Sequence, residues 1–507
     1  MSSELARTRP ADATASPAAT CPILVPGRNC WRVERATRAA LLVDAISYFA
    51  AAKAAMRKAE RSIMLIGWDY DPRIRLEPHR DDAEEPDRLG DLLEWLVAHR
   101  PGLEVRVLRW DMPLPLGLAK HSKLALRIRD WVTDVRMNLK LDGTHLAGAS
   151  HHQKLLIVDD RIAFCGGMDF GCNRWDRPGH VSDDPCRIDP DGSPYPPRHD
   201  VTMAVEGPVV DALSAIARER WRLAIGETVT TAKGEHDCWP DHLAVDMTDV
   251  PVGIARTEPE WYGAPAVGES GALFRDMIAG ARRSIFLENQ YFTGDPIIAA
   301  LEKRLAEPDG PEVIVINPEQ SPGRFERIAM DTVRTVQVER LRKADRYGRF
   351  RIFAPYNEAG QAVIIHSKVS VIDDRLLRVG TSNISNRSIG FDTECDLAIE
   401  AQAGAANDEA TRQAIRAFGI GILAEHAGTE PAALAAAHAE TGSLIAALER
   451  AAAPGRLRPL PEAKPTPFAR WATRRHLFDP MDAKDAWWLL HRPWRPRGEH
   501  SSGPLAS

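Results

Sequence analysis

Two stretches of this sequence carry the same polar residues at the same spacing. In HHQKLLIVDDRIAFCGGMD, from His151 to Asp169, His152 is followed by Lys154 and then Asp159. In HSKVSVIDDRLLRVGTSN, from His366 to Asn383, the same spacing joins His366, Lys368 and Asp373. Side chains alternate along a strand, so a His and a Lys two residues apart share a face. An imidazole beside an ammonium suits an anionic oxygen centre such as phosphate. Both Asp residues are followed by Asp-Arg, and Gly166 and Gly380 each lie seven residues further on. A third His-x-Lys, His121 and Lys123, has Ile128 where the Asp would stand and reads as the solvated face of a helix.

One such stretch supplies half a site. Two facing copies place two histidines, two lysines, Asn383 and Asp169 around one phosphate. Opposed imidazoles can divide phosphoester cleavage: one attacks phosphorus to give a phospho-histidine, and the other protonates the leaving alkoxide and then activates the acceptor. Histidine suits both roles because it titrates near neutrality, and the two must start in opposite protonation states, as a coupled pair. Lys154 and Lys368 would bind the non-bridging oxygens. Asp159 and Asp373 complete the catalytic motifs by spacing. They fall at Asp-Asp turns, where the expectation is that they hold each hairpin and its partner unit without touching substrate. No His/Cys/Asp cluster has metal-ligand spacing, so neither a metal nor another cofactor is expected.

The duplication extends well beyond these motifs. AERSIMLIGWDYDP (Ala59 to Pro72) parallels ARRSIFLENQYFTGD (Ala281 to Asp295). Each follows a periodic helical stretch, Arg38–Lys58 in one half and Ser270–Ala281 in the other. Helices near Leu89–His99 and Pro296–Ala306 come next, then strands EVRVLRW from Glu104 and EVIVIN from Glu312. After each motif a strand opens on a carboxylate, DVTMAVE at Asp200 and ECDLAIE at Glu394. Asp200 and Glu394 read either as carboxylates that orient the two histidines or as ordinary charges at strand ends. The fold class is α/β: two similar α/β/α sandwich halves related by a pseudo-twofold, one shared active site, and a helical and irregular C-terminal extension. The expected divisions are a disordered segment 1–34, a first half 35–227, a linker 228–255, a second half 256–428 and an extension 429–507.

HQKLLIVD, HSKVSVID, GTSN and ENQYF resemble the phospholipase D superfamily with two HKD motifs, over roughly Arg35 to Gly428. FCGGMDFGCNRWD and FLENQYF are similar to the phospholipases D proper, the branch shared by eukaryotes and some bacteria. The resemblance implies that His152 is the nucleophile and His366 the acid. It also implies a phosphatidyl substrate at a membrane surface, water or a primary alcohol as acceptor, and metal-independent chemistry. Asp169 stands where the second copy has Asn383, an asymmetry often seen in that branch. The expected activity is release of the head group from glycerophospholipids to give phosphatidic acid, with transfer to alcohols. The alternatives are a cardiolipin or phosphatidylserine synthase, or a nucleic-acid phosphodiesterase.

A net charge of −6 over 507 residues argues against a protein that coats nucleic acid. No apolar run approaches the ~18 residues of a membrane span. Seven cysteines without regular spacing do not suggest a disulfide framework. The expectation is a cytoplasmic monomer, peripheral to membranes or exported by a signal-less route. The Pro- and Asp-rich segment Pro178–Pro197 interrupts only the first repeat, either bordering the entrance or as a plain surface insertion. The basic aromatic tail, with Trp487, Trp488 and Trp494, either packs on the catalytic body or dips into an anionic lipid interface.

Overall fold

Short apolar strands with alternate residues facing opposite ways are what a sheet covered on both sides requires. In the segment Ser62–Gly67, Met64 and Ile66 join one apolar core while Ile63 and Leu65 join another. The computed structural model describes residues 21–80, 86–111, 135–260, 264–462, 464–482 and 485. The His121 segment and the three tail tryptophans lie outside these.

The strands of the first half are β1 (Arg32–Val43), β2 (Ser62–Gly67), β3 (Glu104–Trp110), β4 (Met137–Asp142), β5 (Leu155–Val158), β6 (Ile162–Gly166), β7 (Arg198–His199) and β8 (Val201–Glu206). Those of the second are β9 (Met247–Glu258), β10 (Val267–Gly268), β11 (Ser284–Asn289), β12 (Glu312–Ile316), β13 (Phe350–Pro355), β14 (Ile364–Ile365), β15 (Lys368–Ile372), β16 (Leu376–Gly380), β17 (Glu394–Glu400) and β18 (Leu457–Pro459). One sheet runs β4-β3-β2-β5-β6-β8-β1 and continues β9-β17-β16-β15-β11-β12-β13-β18. The order from β1 outward therefore matches the order from β9 outward, with β18 added at the far edge. Helices Asp44–Lys58 and Leu89–His99 cover one face in the first half. Glu269–Gly280 and Asp295–Ala306 do so in the second. Pro208–Ile225 and Asp408–Ala427 pack on the opposite face, in a core drawn from both halves.

The centre of this sheet departs from the sequence reading. Arg38–Val43 was expected to begin a helix, but β1 continues to Val43 and the helix starts at Asp44. The expected linker to Ala255 contains the start of β9 at Met247, and the expected disordered segment to 34 includes buried Ile23, Leu24 and Cys30. β1 pairs antiparallel with β8 on one side and β9 on the other. This long-range pairing overrides the helical leaning of its Ala- and Arg-rich sequence. Pro251, which interrupts β9, pairs with Arg35 of β1 just beyond the end of the β17 ladder at Val252, where no second strand needs its missing N–H. The C-terminal extension is helical over Pro431–Thr441 and Leu444–Ala451, but then adds β18 antiparallel to β13. Beyond it, Asp479 is buried and accepts hydrogen bonds from the Thr293 hydroxyl and the amides of Asn386 and Arg387, so the described part of the extension packs on the second half.

The β5–β6 and β15–β16 hairpins turn on Asp159-Asp160 and Asp373-Asp374, all four residues at φ 50 to 53°. Two successive left-handed residues match the twist of a two-residue hairpin, and Asp tolerates that region better than most side chains. The first Asp of each pair also reaches outside its hairpin. Asp159 accepts from the amides of Glu60, Arg61 and Ser62, and Asp373 from those of Arg282, Arg283 and Ser284. Each carboxylate thus ties the start of β2 or β11 to the neighbouring hairpin. Leaving three amides without an acceptor costs at least about 3 kcal/mol. Asp159→Ala and Asp373→Ala are each expected to lose that much stability in urea unfolding, while the fraction that folds keeps its active-site geometry.

Candidate active site

His152 and His366 stand shortly before β5 and β15, and each is docked by backbone to the other half. The His152 amide donates to the Thr393 carbonyl at 3.0 Å, and the His366 amide to the His199 carbonyl at 2.9 Å. β14, leading into His366, pairs parallel with β7, and His151 makes a parallel bridge with Thr393. The residues after Thr393 and His199 are Glu394 and Asp200, so each docking delivers a carboxylate to the opposite histidine. The Nδ1 of His152 lies 2.8 and 3.0 Å from the two carboxylate oxygens of Glu394. The Nδ1 of His366 lies 2.7 Å from Asp200 Oδ2. With Nδ1 held in this way, Nε2 is the free nitrogen of both rings. His151, adjacent in sequence and fully buried, is held instead by the Thr393 hydroxyl at 2.6 Å.

Small residues in the motifs make these pairs fit. A Cβ on Gly167 would lie 2.2 Å from Asp200 Oδ1, so the second glycine of FCGGMD clears the space Asp200 occupies. In the second half the Thr381 hydroxyl donates to Glu394. The Gly380–Asn383 turn is itself fixed by Asp396, which accepts from the amides of Thr381 and Ser382 and the hydroxyl of Ser382 and pairs with buried Arg378 at 2.7 Å. Asp396, invisible as a site residue in sequence, thereby supports Thr381, Glu394 and His152 in turn.

Both lysines curl back on their own motifs. Lys154 donates to the His152 carbonyl at 3.1 Å and Lys368 to the His366 carbonyl, and Lys368 also donates to Gln290 Oε1 at 3.1 Å. Asp169 Oδ2 lies 3.3 Å from Lys154, and its Oδ1 accepts from the amides of Trp68 and Asp69. These contacts set Asp169 beside Lys154 at the start of the loop after β2. Asn383 is buried, with its side-chain oxygen lacking a hydrogen-bond partner. Asp159 and Asp373 are spent on backbone amides, as described above. Arg174, Arg198 and Gln290 were not singled out in the sequence. Both arginines are nearly buried and both depress the proton affinity of His366, so they stand near the reacting centre.

The electrostatics follow from burial and from the two lysines. Desolvation, then the charges of Lys154 and Lys368, hold His152 well below the usual histidine range. Desolvation, then Lys368, Arg198, Arg174 and Lys154, do the same to His366. Each ring thus feels the lysine of the other motif as well as its own. Burial raises Glu394 well above the carboxylate range, with Asp396 and Asp392 adding to the effect. Burial also raises Asp200, but Lys368, Arg198 and Arg174 pull it back. Lys368 is lowered to about 7 by burial, against the attraction of Asp200.

Comparison with known proteins agrees with this geometry. The family described as "Cardiolipin synthase, PLD-like domain" matches residues 274–418, which include the second motif. Phospholipase D A of Dictyostelium discoideum is 23% identical over 427 residues, covering 71% of this chain and 32% of that one. A cardiolipin synthase of Alkalihalophilus pseudofirmus is 24% identical over 254 residues, covering 50% of this chain and 43% of its own. The chain thus resembles the phospholipase D superfamily in sequence. A solved phosphatidylserine synthase of Haemophilus influenzae shares the fold, with a TM-score of 0.53 at 11% identity over 77% of this chain and 87% of that one. The chain spans about a third of the length of the Dictyostelium phospholipase D A. Among the described residues no helix is long and apolar enough to cross a membrane.

A site of this kind should bind a phosphodiester best while Lys368 is charged. Lys368 is charged below about pH 7 and loses its proton above it. A dialkyl phosphate keeps one negative charge throughout this range. Its dissociation constant is therefore expected to rise up to about tenfold per pH unit above neutrality. In Lys368→Arg the guanidinium stays charged, and the rise should flatten. Calorimetric titrations across the range test both.

Proposed function

We propose that the protein is a phospholipase D that cleaves the head-group phosphodiester of glycerophospholipids through a covalent phospho-histidine. The observation that carries this reading is the exchange of carboxylates between the two motif imidazoles, with a lysine beside each. His152 Nε2 attacks phosphorus. The N–P bond forms as the P–O bond to the head group breaks, and His366 Nε2–H gives its proton to the departing oxygen. His366 then takes a proton from water or an alcohol, whose oxygen attacks phosphorus and releases His152. Lys154, Lys368 and the Asn383 amide bind the non-bridging oxygens, which carry the charge in both steps. No metal is needed for any of these proton or phosphoryl transfers.

The unequal carboxylates support this division of roles. Asp200, raised by burial but pulled back by three neighbouring cations, is the readier anion of the two carboxyls and lends His366 more support as a cation, against the burial and positive charges that lower that ring. Glu394, pushed up by burial and by Asp392 and Asp396, lends less support to a cation at His152 and leaves it neutral, as a nucleophile requires.

A second reading, phosphatidyl transfer to an alcohol-bearing acceptor, shares the same intermediate. It is favoured by the similarity to a cardiolipin synthase and by the phosphatidylserine synthase fold. The two differ only in which acceptor reaches the phospho-histidine. Purified protein is incubated with mixed phospholipid vesicles, with and without a primary alcohol, and the lipids are read by mass spectrometry. The expected products are phosphatidic acid without alcohol and phosphatidyl-alcohol with it. Product only when alcohol is present would identify a transferase. His152→Ala should lower turnover by at least about 10³-fold. His366→Ala should accumulate phosphate on His152, and label on His366 in the wild type would reverse the roles.

A further inference from the structure

Directly behind the His366–Asp200 pair lies a second polar cluster that the phosphoryl chemistry does not use. It consists of Asp44 at the start of helix Asp44–Lys58, His180 in the Pro178–Pro197 segment, His199 of β7 and Glu425 of helix Asp408–Ala427. Asp44 and His199 are fully buried, His180 is 1% exposed and Glu425 is partly covered. Four carboxylates (Asp44, Asp176, Glu288 and Glu425) converge on the two imidazoles, so the position demands positive charge.

The nitrogens facing the centre are bare. His180 donates from Nδ1 to Asp176 Oδ2 at 3.1 Å, and its Nε2 is buried without a hydrogen-bond partner. His199 places Nε2 3.0 Å from Glu288 Oε1 and Nδ1 3.1 Å from Asp44 Oδ1, and neither nitrogen makes a hydrogen bond of normal geometry. Asp44 Oδ2 is likewise buried without a partner. A ring held by a carboxylate on one nitrogen and open on the other is how histidine is prepared for a metal. His180 Nε2 lies 3.4 Å from Glu425 Oε1 and 3.9 Å from Asp44 Oδ2, and the candidate ligand atoms of all four residues fall within 4.8 Å of one another. Four ligands at about 2.0 to 2.1 Å from a tetrahedral ion stand roughly 3.3 Å apart, so a small contraction closes the set.

We propose that Asp44, His180, His199 and Glu425 form a structural site for a divalent transition ion, with Zn²⁺ the best fit to two imidazole nitrogens and two carboxylate oxygens. The set is closed by protein ligands and lies away from the reacting nitrogens, so the ion binds without entering phosphoryl transfer. It joins the first half to the helix Asp408–Ala427 of the second. It also supports Asp200, whose carbonyl accepts from the Asp44 amide at 2.8 Å and whose neighbour is His199. The sequence reading expected no metal because these ligands are separated by 19 to 226 residues and share no motif.

The test uses the full chain, purified without a polyhistidine tag, stripped with chelator and refilled with Zn²⁺ or Co²⁺. About one ion per chain should survive dialysis, with the visible absorption of tetrahedral cobalt, and stripping should lower the melting temperature. Glu425→Gln, at the partly exposed ligand, should fold and weaken binding by about tenfold or more, and His180→Gln should abolish it. Retention of the ion in His366→Ala separates this site from the catalytic imidazoles. A wild-type chain that retains neither ion, or an ion held equally well in Glu425→Gln and His180→Gln, overturns the proposal. The first of these outcomes leaves protonated imidazoles as the charges that answer the four carboxylates.

Discussion

The arrangement on which the rest of the structure depends is the crossed pairing of His152 with Glu394 and His366 with Asp200. A buried imidazole that must change charge needs a carboxylate at Nδ1, and here neither half supplies its own. The catalytic geometry therefore exists only when the halves are docked. Breaking one pair leaves a buried carboxyl without its partner, a cost of several kcal/mol that opposes separation of the halves.

The sheet meets this requirement at its centre. β1 and β9 are each twelve residues long and pair along most of their length, so the two sets of strands form one sheet. Asp200 immediately precedes the flanking β8, and Glu394 opens the flanking β17. The same pairing that buries the β1–β9 seam therefore sets the height at which both carboxylates emerge. The core on one face draws on both halves, where Val250, Val252 and Ile254 of β9 pack with Val201, Met203 and Val205 of β8. Burial of each such side chain contributes about 1.5 to 3 kcal/mol, so the seam is fixed by many small terms and the site inherits their rigidity.

The halves are not equivalent at the site. Thr381 holds Glu394 by a hydroxyl, whereas Gly167 only makes room for Asp200. Lys154 faces an Asp, whereas Lys368 faces an amide. Glu288 on β11 is where β2 has Ile66, and it meets His199 and His426 in the polar cluster behind His366. A duplicated framework thus gives two identical side chains unequal surroundings.

By itself the sequence determined what period and composition control. The alternating strands and tandem Asp turns were legible because each is a local pattern, as were the paired His-x-Lys motifs and the order of elements. Asp200 and Glu394 could be found by aligning the repeats. Tertiary structure alone decided the rest. It made Arg38–Val43 a strand, because pairing with β8 and β9 outweighs the propensity of an Ala-rich segment. It chose which carboxylate serves which histidine, turned Asp169 towards Lys154, and brought Asp396, Arg174 and Arg198 to the site. It also gathered Asp44, His180, His199 and Glu425 into one cluster. These outcomes depend on contacts between residues far apart in the chain, and no spacing within a segment records which distant side chain will fill the space beside it.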